Sequence, residues 1–237
     1  MKFKSIVFLV LILLVSQVSY SQYNSGEKKK NSGHGAREPH HSVIKGGFKL
    51  PTALGNKAFR KIMKGVADAD FSYNYRLSNN LAFGAGFKYG IWDIDVNQFS
   101  GDVHGKMEIL NPFVSFSKVF EEDKQFYIET ELKVGYNMIT TRSNLGADFN
   151  QTGINFEPKV GFYLKATDML AFGLNINYNY IGANFSRENM DLSVINLETY
   201  PGIVASEEKG ATQYFSVGFG FYAFIPNKDD RAVAKDH

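Results

Sequence analysis

Glu129 and Glu131 stand two residues apart in FYIETELKV, a pairing of carboxylates of the kind that general acid/base catalysis uses. In an extended chain, positions two apart share a face, and Lys133 falls on that face as well. Carboxylates so placed answer a lysine more simply than they stand ready for proton transfer. A nucleophile and its base are suggested twice, by His40-His41-Ser42 and by His104 with Ser100 and Asp102 close to it in sequence. Acyl-transfer chemistry needs the nucleophile within hydrogen-bond reach of an oriented base, and three polar residues in one loop do not by themselves supply that. His34, His40 and His41 could ligate a metal, but they belong to a polar, basic stretch with too little apolar content to order itself, so no metal is expected. The chain has no cysteine, which excludes disulfides, thiolate metal sites and attachment of lipid to a cysteine. No phosphate-cradling glycine loop is present, and no cofactor is implied. The remaining cluster is basic: Lys57, Arg60, Lys61 and Lys64 surround Phe59, Ile62 and Met63, which recur at helical spacing in NKAFRKIMKG.

What could position these groups is written most clearly in residues 169–181, MLAFGLNINYNYI. Leu170, Phe172, Leu174, Ile176, Tyr178 and Tyr180 fall on one parity, with Ala171, Gly173, Asn175, Asn177 and Asn179 on the other. A strand sends successive side chains to opposite faces, so this segment has one apolar face and one small, polar face. A tilted strand of about 10 residues is just long enough to cross the hydrocarbon of a bilayer. The LAFG of Leu81–Gly84 recurs at Leu170–Gly173, each copy opening an alternating run after a short polar turn.

The same alternation divides the chain into eight strands, at residues 42–50, 67–77, 81–95, 109–120, 125–141, 154–165, 169–181 and 211–225. Pro51 ends the first strand or sits at its edge. In the fourth, Pro112 interrupts the ladder and Phe113 falls on the inward parity. The basic segment 56–65 reads as a short amphipathic turn in the first outer loop, residues 97–108 and 143–153 as further loops, and residues 182–210 as the longest. Connections after strands two, four and six are short and the others long. An even strand number with short periplasmic turns and longer surface loops is the pattern of outer-membrane barrels, and it places both termini in the periplasm. Lipid cannot satisfy a strand edge, so strand eight is expected to pair with strand one.

The flanks agree. Residues 1–21 read as a signal peptide, with Lys2 and Lys4 before the apolar run 6–15 and Ser19-Tyr20-Ser21 before Gln22. Residues 22–41 read as a flexible basic periplasmic segment, 42–225 as the barrel and 226–237 as a charged tail. The formal charge of +2 becomes 0 once Lys2 and Lys4 leave, so there is no global case for a nucleic-acid partner. Aromatic residues make up 15% of the 237, and Tyr73, Tyr136, Tyr178 and Tyr180 fall near strand ends, where membrane interfaces favour such side chains.

The inward parity collects Lys45, Lys49, Arg76, Lys88, Lys133, Lys159 and Lys165 with Glu129, Glu131 and Glu157. A charge buried alone would cost several kcal/mol, and an eight-stranded barrel is just wide enough for its side chains to fill it. The expectation is a salt-bridged plug, with inward glycines making room for Trp92, Tyr127, Tyr163, Tyr214 and Tyr222.

The leader, the eight alternating strands, and the runs SYNYRLSNNLAFGAGFKY and YFSVGFGFYAF resemble the eight-stranded outer-membrane β-barrel family that includes OmpX and the OmpA membrane domain. The resemblance spans roughly residues 42–225 and implies an antiparallel up-and-down transmembrane barrel inserted by the barrel-assembly machinery. That machinery reads a terminal aromatic residue in the family, whereas this chain continues past Phe224-Ile225; no OmpA-like peptidoglycan-binding domain is expected to follow. The implied role is a monomeric, non-enzymatic outer-membrane scaffold whose outer loops meet an unidentified extracellular ligand, with lipopolysaccharide phosphates a natural partner for Lys57, Arg60, Lys61 and Lys64. A narrow channel for small solutes is the main alternative. A lipid A-modifying enzyme would need its His, Ser and acid at the outer, membrane-facing strand ends, whereas His40-His41-Ser42 falls at the periplasmic end. A soluble lipocalin-like barrel would invert the two faces.

Overall fold

Alternation at period two commits each segment to a strand, and a strand with one lipid-compatible face and one charged face has to curl until the charged faces meet. A computed structural model describes residues 42–78, 80–94, 104–120, 125–144, 148–167, 169–186 and 211–225. The expected leader 1–21, basic segment 22–41 and tail 226–237 lie outside them. The elements are β1 (Ser42–Gly55), α1 (Lys57–Ile62), β2 (Met63–Ser78), β3 (Leu81–Ile94), β4 (Gly105–Phe120), β5 (Phe126–Ser143), β6 (Phe149–Thr167), β7 (Leu170–Asn184) and β8 (Ala211–Ile225). Each strand pairs antiparallel with the next, and β1 closes on β8 from Ser42–Ile225 to Gly55–Thr212. The result is a closed eight-stranded up-and-down barrel without an edge.

The two faces segregate as the parity demands. On β1 and β8, Phe48, Leu50 and Phe219 are 55%, 61% and 71% exposed, while Lys49 between them is 1% exposed. A soluble barrel would show the reverse. Along β5 the outward face runs Phe126, Ile128, Thr130, Leu132, Val134 and Tyr136. Ten residue steps at a strand tilt near 40° rise about 25 Å, the height of the apolar band on such barrels. Above Tyr136 the outward face turns polar: Tyr136 Oη donates to Thr152 Oγ1 at 2.8 Å, Thr140 Oγ1 to Asn150 Oδ1 at 2.8 Å, and Arg142 reaches both Asp148 and Glu108 at 3.0 Å.

Several boundaries differ from those read in the sequence. β5 and β6 keep pairing up to Thr141–Phe149, so most of the loop expected at 143–153 is a hairpin standing above the apolar band. The cross-strand hydrogen bonds just named hold it there. β1 continues through Pro51 to Gly55: its ladder with β2 stops at Lys49–Asp68, leaving one side where a residue without an N–H is tolerated. β2 begins at Met63, whose backbone is extended, because Gly65 permits an approach to Pro51 so close that a Cβ there would lie 2.1 Å from the Pro51 carbonyl oxygen. β4 begins at Gly105, inside the expected loop 97–108. At Pro112 the β4–β5 pairing lapses between Leu110–Met138 and Phe113–Gly135 without a change of register, and the strand continues through its pairing with β3. The end carrying the short connections is called the turn end below, and the opposite end the loop end.

Candidate functional site

The interior is built in layers, each set by the residue types that fall on the inward parity. At the turn end, Tyr127, Tyr163 and Tyr222 pack together with ring centroids 4.3–6.0 Å apart, beside Val43, Val119, Ala171 and Phe224. Tyr163 fits because Gly161 and Gly173 flank it: a Cβ on Gly161 would lie 2.3 Å from its ring.

Above the tyrosines lies a first ion cluster. Lys45 Nζ reaches Glu129 at 2.5 Å, Glu131 at 3.2 Å and Ser117 Oγ at 3.0 Å, while Lys159 reaches Glu131 at 2.7 Å and Glu129 at 3.1 Å. Tyr222 donates its hydroxyl to Glu129. Two lysines thus face two glutamates, each carboxylate shared between both cations.

A second cluster follows immediately. Glu157 accepts from Lys88 at 2.5 Å, Lys49 at 3.3 Å and Lys133 at 3.4 Å, and from the Asn177 amide at 2.5 Å. Asp70 accepts from Lys49 at 3.1 Å and also from Lys133, whose ammonium sits 4.8 Å from the centre of the Phe113 ring. Asp68 accepts from Tyr214 Oη at 3.4 Å. Five buried lysines (45, 49, 88, 133, 159) therefore share the lumen with five acids (68, 70, 129, 131, 157), a formal sum of zero. Every one of these lysines except Lys45 and Lys159, at 5% and 6%, is 2% exposed or less. Charges this deep persist only when paired and hydrogen-bonded, because the desolvation of each costs several kcal/mol.

At the loop end the lumen is stoppered by an apolar lid. Asn56 precedes α1, and its side chain caps the helix by accepting from the Phe59 N–H at 3.0 Å and donates to the Phe185 carbonyl at 3.1 Å. That capping turns Ala58, Phe59 and Ile62 down into the mouth, all fully buried. Phe59 packs on Trp92 and Phe185 with centroids at 4.8 and 5.1 Å, and Trp92 on Tyr214 at 5.1 Å. Ile94, Met107, Ile109, Ile139 and Ile181 complete the cluster. Lys57, Arg60 and Lys64 remain exposed and Lys61 half-exposed on the far side.

The amphipathic turn read in the loop after the first strand is α1, in the connection between β1 and β2, and its apolar face also seals the barrel. Asp68 and Asp70 were missed, although they share the parity of Ser72 and Asn74. Arg76 shares the inward parity but sits at the turn-end mouth, half-exposed, 5.6 Å from the centre of the Phe224 ring, and Lys165 lies 6.0 Å from that of Tyr127. His104 is tied through its backbone to Asn144, its N–H donating to the side chain at 2.9 Å; Ser100 and Asp102 lie outside the described residues. Ser42 Oγ pairs with Tyr73 Oη at 2.7 Å, and His34, His40 and His41 lie outside the described residues.

No protein-family model and no curated protein matches the chain. Solved structures do. Neisserial surface protein A is 14% identical with a TM-score of 0.50, the match covering 78% of this chain and 97% of that one. OprG from Pseudomonas aeruginosa is 11% identical with a TM-score of 0.45, over 80% and 98% of the two chains. The N-terminal β-barrel domain of OprF from Pseudomonas aeruginosa is 12% identical with a TM-score of 0.42, over 78% and 99%. At such identities the likeness to Neisserial surface protein A speaks for the fold alone, and with an apolar exterior, a charged lumen and a β1–β8 closure the chain is an eight-stranded antiparallel β-barrel of the outer-membrane type.

Proposed function

We propose that this protein is a non-enzymatic outer-membrane scaffold, a monomer that folds through the barrel-assembly machinery with both termini in the periplasm and acts through its loop-end surface. One observation carries the reading: the lumen is obstructed twice, by a charge-balanced ionic layer and by the apolar stopper that α1 forms over it. A hydrated ion passing this barrel would have to part five lysines from the four carboxylates that pair with them and then cross an apolar cluster, so transport is poorly served and the exposed surface is left to do the work. Lys57, Arg60, Lys61 and Lys64 face away from the lumen around α1, where the phosphates of lipopolysaccharide are a matching partner in charge.

Planar-bilayer recording of the refolded chain tests this. The expected result is heat-modifiable electrophoretic mobility, which reports a closed barrel, without sustained single-channel steps. Stable conductance steps from the folded barrel would overturn the scaffold reading in favour of a narrow channel. Loss of lipopolysaccharide binding in an Arg60→Glu, Lys64→Glu variant that keeps its mobility shift is expected if the basic face makes the contact; unchanged binding would remove lipopolysaccharide from that face.

A further inference from the structure

Lys88 differs from the other buried lysines of the lumen. Lys45, Lys49, Lys133 and Lys159 meet carboxylates, with Ser117 besides for Lys45. Lys88 Nζ instead donates both to Glu157 Oε2 and to the side-chain amide oxygen of Asn179, each at 2.5 Å. All three groups are buried, Lys88 and Glu157 at 1% exposure and Asn179 at 0%, and the Tyr214 ring lies 5.4 Å from the ammonium. A nitrogen 2.5 Å from the oxygen of a carbonyl about 1.2 Å long lies no farther than about 3.7 Å from its carbon, close to the approach distance of a near-attack pair.

The register brings the third partner. β6 and β7 pair at Phe156–Tyr180 and at Lys159–Asn177, which sets Glu157 opposite Asn179 on the inward face. Cross-strand neighbours have Cβ atoms about 4.5–5.5 Å apart, so one carboxylate can serve both the lysine nitrogen and the amide. Lysine has only donors to offer, so the Asn179 amide turns its oxygen to Nζ and its nitrogen away. That nitrogen, Nδ2, is buried and makes no hydrogen bond within the protein. Nothing there holds it against departure.

We propose that Lys88 and Asn179 become joined by an isopeptide bond inside the assembled barrel, with Glu157 as the group that moves the protons. Glu157 Oε2 takes a proton from the Lys88 ammonium, and the freed amine attacks the side-chain carbonyl carbon of Asn179. As the adduct collapses, the bond from that carbon to Nδ2 breaks and the new bond to Nζ remains. Lys88 gives up two protons in all; Nδ2 leaves with them and with its own two as ammonium, and Glu157 is regenerated. No oxidant or other reactant is consumed. The lysine–carboxylate pairs nearby are poorer sites for this reaction, because a carboxylate is an anion and resists attack where a neutral amide does not. The ion pair is the state of the newly folded barrel, and the bond accumulates as the folded barrel ages. It ties β3 to β7 straight across the lumen, between residues 91 apart on strands that share no ladder.

Protein extracted from the outer membrane, and refolded barrel aged in lipid nanodiscs, would be digested with trypsin and read by tandem mass spectrometry. The expected product is a branched peptide carrying both Lys88 and Asn179, lighter than its two parts together by one ammonia and uncut after Lys88. The boiled, aged chain, closed into a loop, should also run ahead of boiled Asn179→Ala in a denaturing gel. Glu157→Gln is expected to slow the accumulation by about 100-fold or more. Recovery of Asn179 only in unbranched peptides from barrel whose heat-modifiable mobility shows it folded would overturn the proposal, as would a branch that instead joins a lysine to Asp70 or Glu157 with loss of water. A branched product forming at the parent rate in folded Glu157→Gln would remove Glu157 from the reaction. The parent chain carries the main readout, so a variant that fails to fold leaves the test intact, and neither conductance nor lipopolysaccharide binding enters it.

Discussion

Glu157 is the residue on which the second ion cluster converges, so replacing it with glutamine is the sharpest test of a charge-balanced lumen. The substitution preserves shape and one acceptor but removes the negative charge shared by Lys88 at 2.5 Å, Lys49 at 3.3 Å and Lys133 at 3.4 Å. Lys49 and Lys133 retain Asp70, whereas Lys88 keeps Asn179 Oδ1 at 2.5 Å but no carboxylate within its ion-pair contacts. At an effective dielectric near 20, each lost pair is worth roughly 5 kcal/mol gross, against a desolvation cost of several kcal/mol per ion. Removing one partner of a buried pair while the other stays charged has a net cost of about 3–5 kcal/mol. With a urea m-value of roughly 2–3 kcal/mol/M, the unfolding midpoint in lipid vesicles should fall by about 1–2 M at unchanged m. Adding Lys88→Met restores the formal balance and removes the most exclusively dependent cation, so the double variant should recover much of the loss and show a coupling energy well above 1 kcal/mol. A Glu157→Gln midpoint within experimental error of the parent would refute the argument, since it would mean that the lumen does not hold these lysines charged and paired.

Four further substitutions probe other layers. Gly218→Ala places a Cβ 2.1 Å from the Phe48 carbonyl oxygen of the neighbouring strand and should cost about 1–3 kcal/mol in urea titration, whereas Gly90→Ala, with 3.8 Å of clearance, should be neutral or stabilise by roughly 0.4–1 kcal/mol. Phe219→Arg, on the most exposed apolar position of the belt, should cost about 2–4 kcal/mol if it lies near the bilayer midplane, read as a reduced folded fraction in vesicles; full insertion would put that face out of lipid. Asn56→Ala removes both the helix cap and the hydrogen bond to Phe185, a loss of about 1 kcal/mol or more. Trypsin should then cut at Lys57, Arg60 or Lys61 roughly 5–10 times faster, tracking the population of the opened lid, and an unchanged rate would mean that α1 is held otherwise.

Strand number, parity and closure were legible without coordinates because a membrane barrel imposes a period of two on every strand and allows no open edge. Residues 169–181 carry that period in full, and β7 places its outward and inward sets accordingly. Strand ends were less legible. Thr140, Thr152 and Asn150 are as suited to a loop as to a strand, and the ladder continues through them only because each finds a partner across the hairpin. Asp68 and Asp70 were visible by parity, yet the bulge between Gly65 and Ala67 shifts the register where β2 begins and obscures the face it continues.

The sequence by itself determined what faces lipid and what faces inward, since that choice is local: each side chain's direction follows from its place in an extended chain. Only the tertiary structure decided which charges meet. Lys45 pairs with Glu129 and Lys49 with Glu157 across 84 and 108 residues of sequence, and such partners depend on the register and shear of all eight strands together. The stopper belongs to the same class. The periodicity of residues 57–62 specifies a helix with one apolar face, but that face acquires its role only when barrel closure sets Trp92, Phe185 and Tyr214 beneath it.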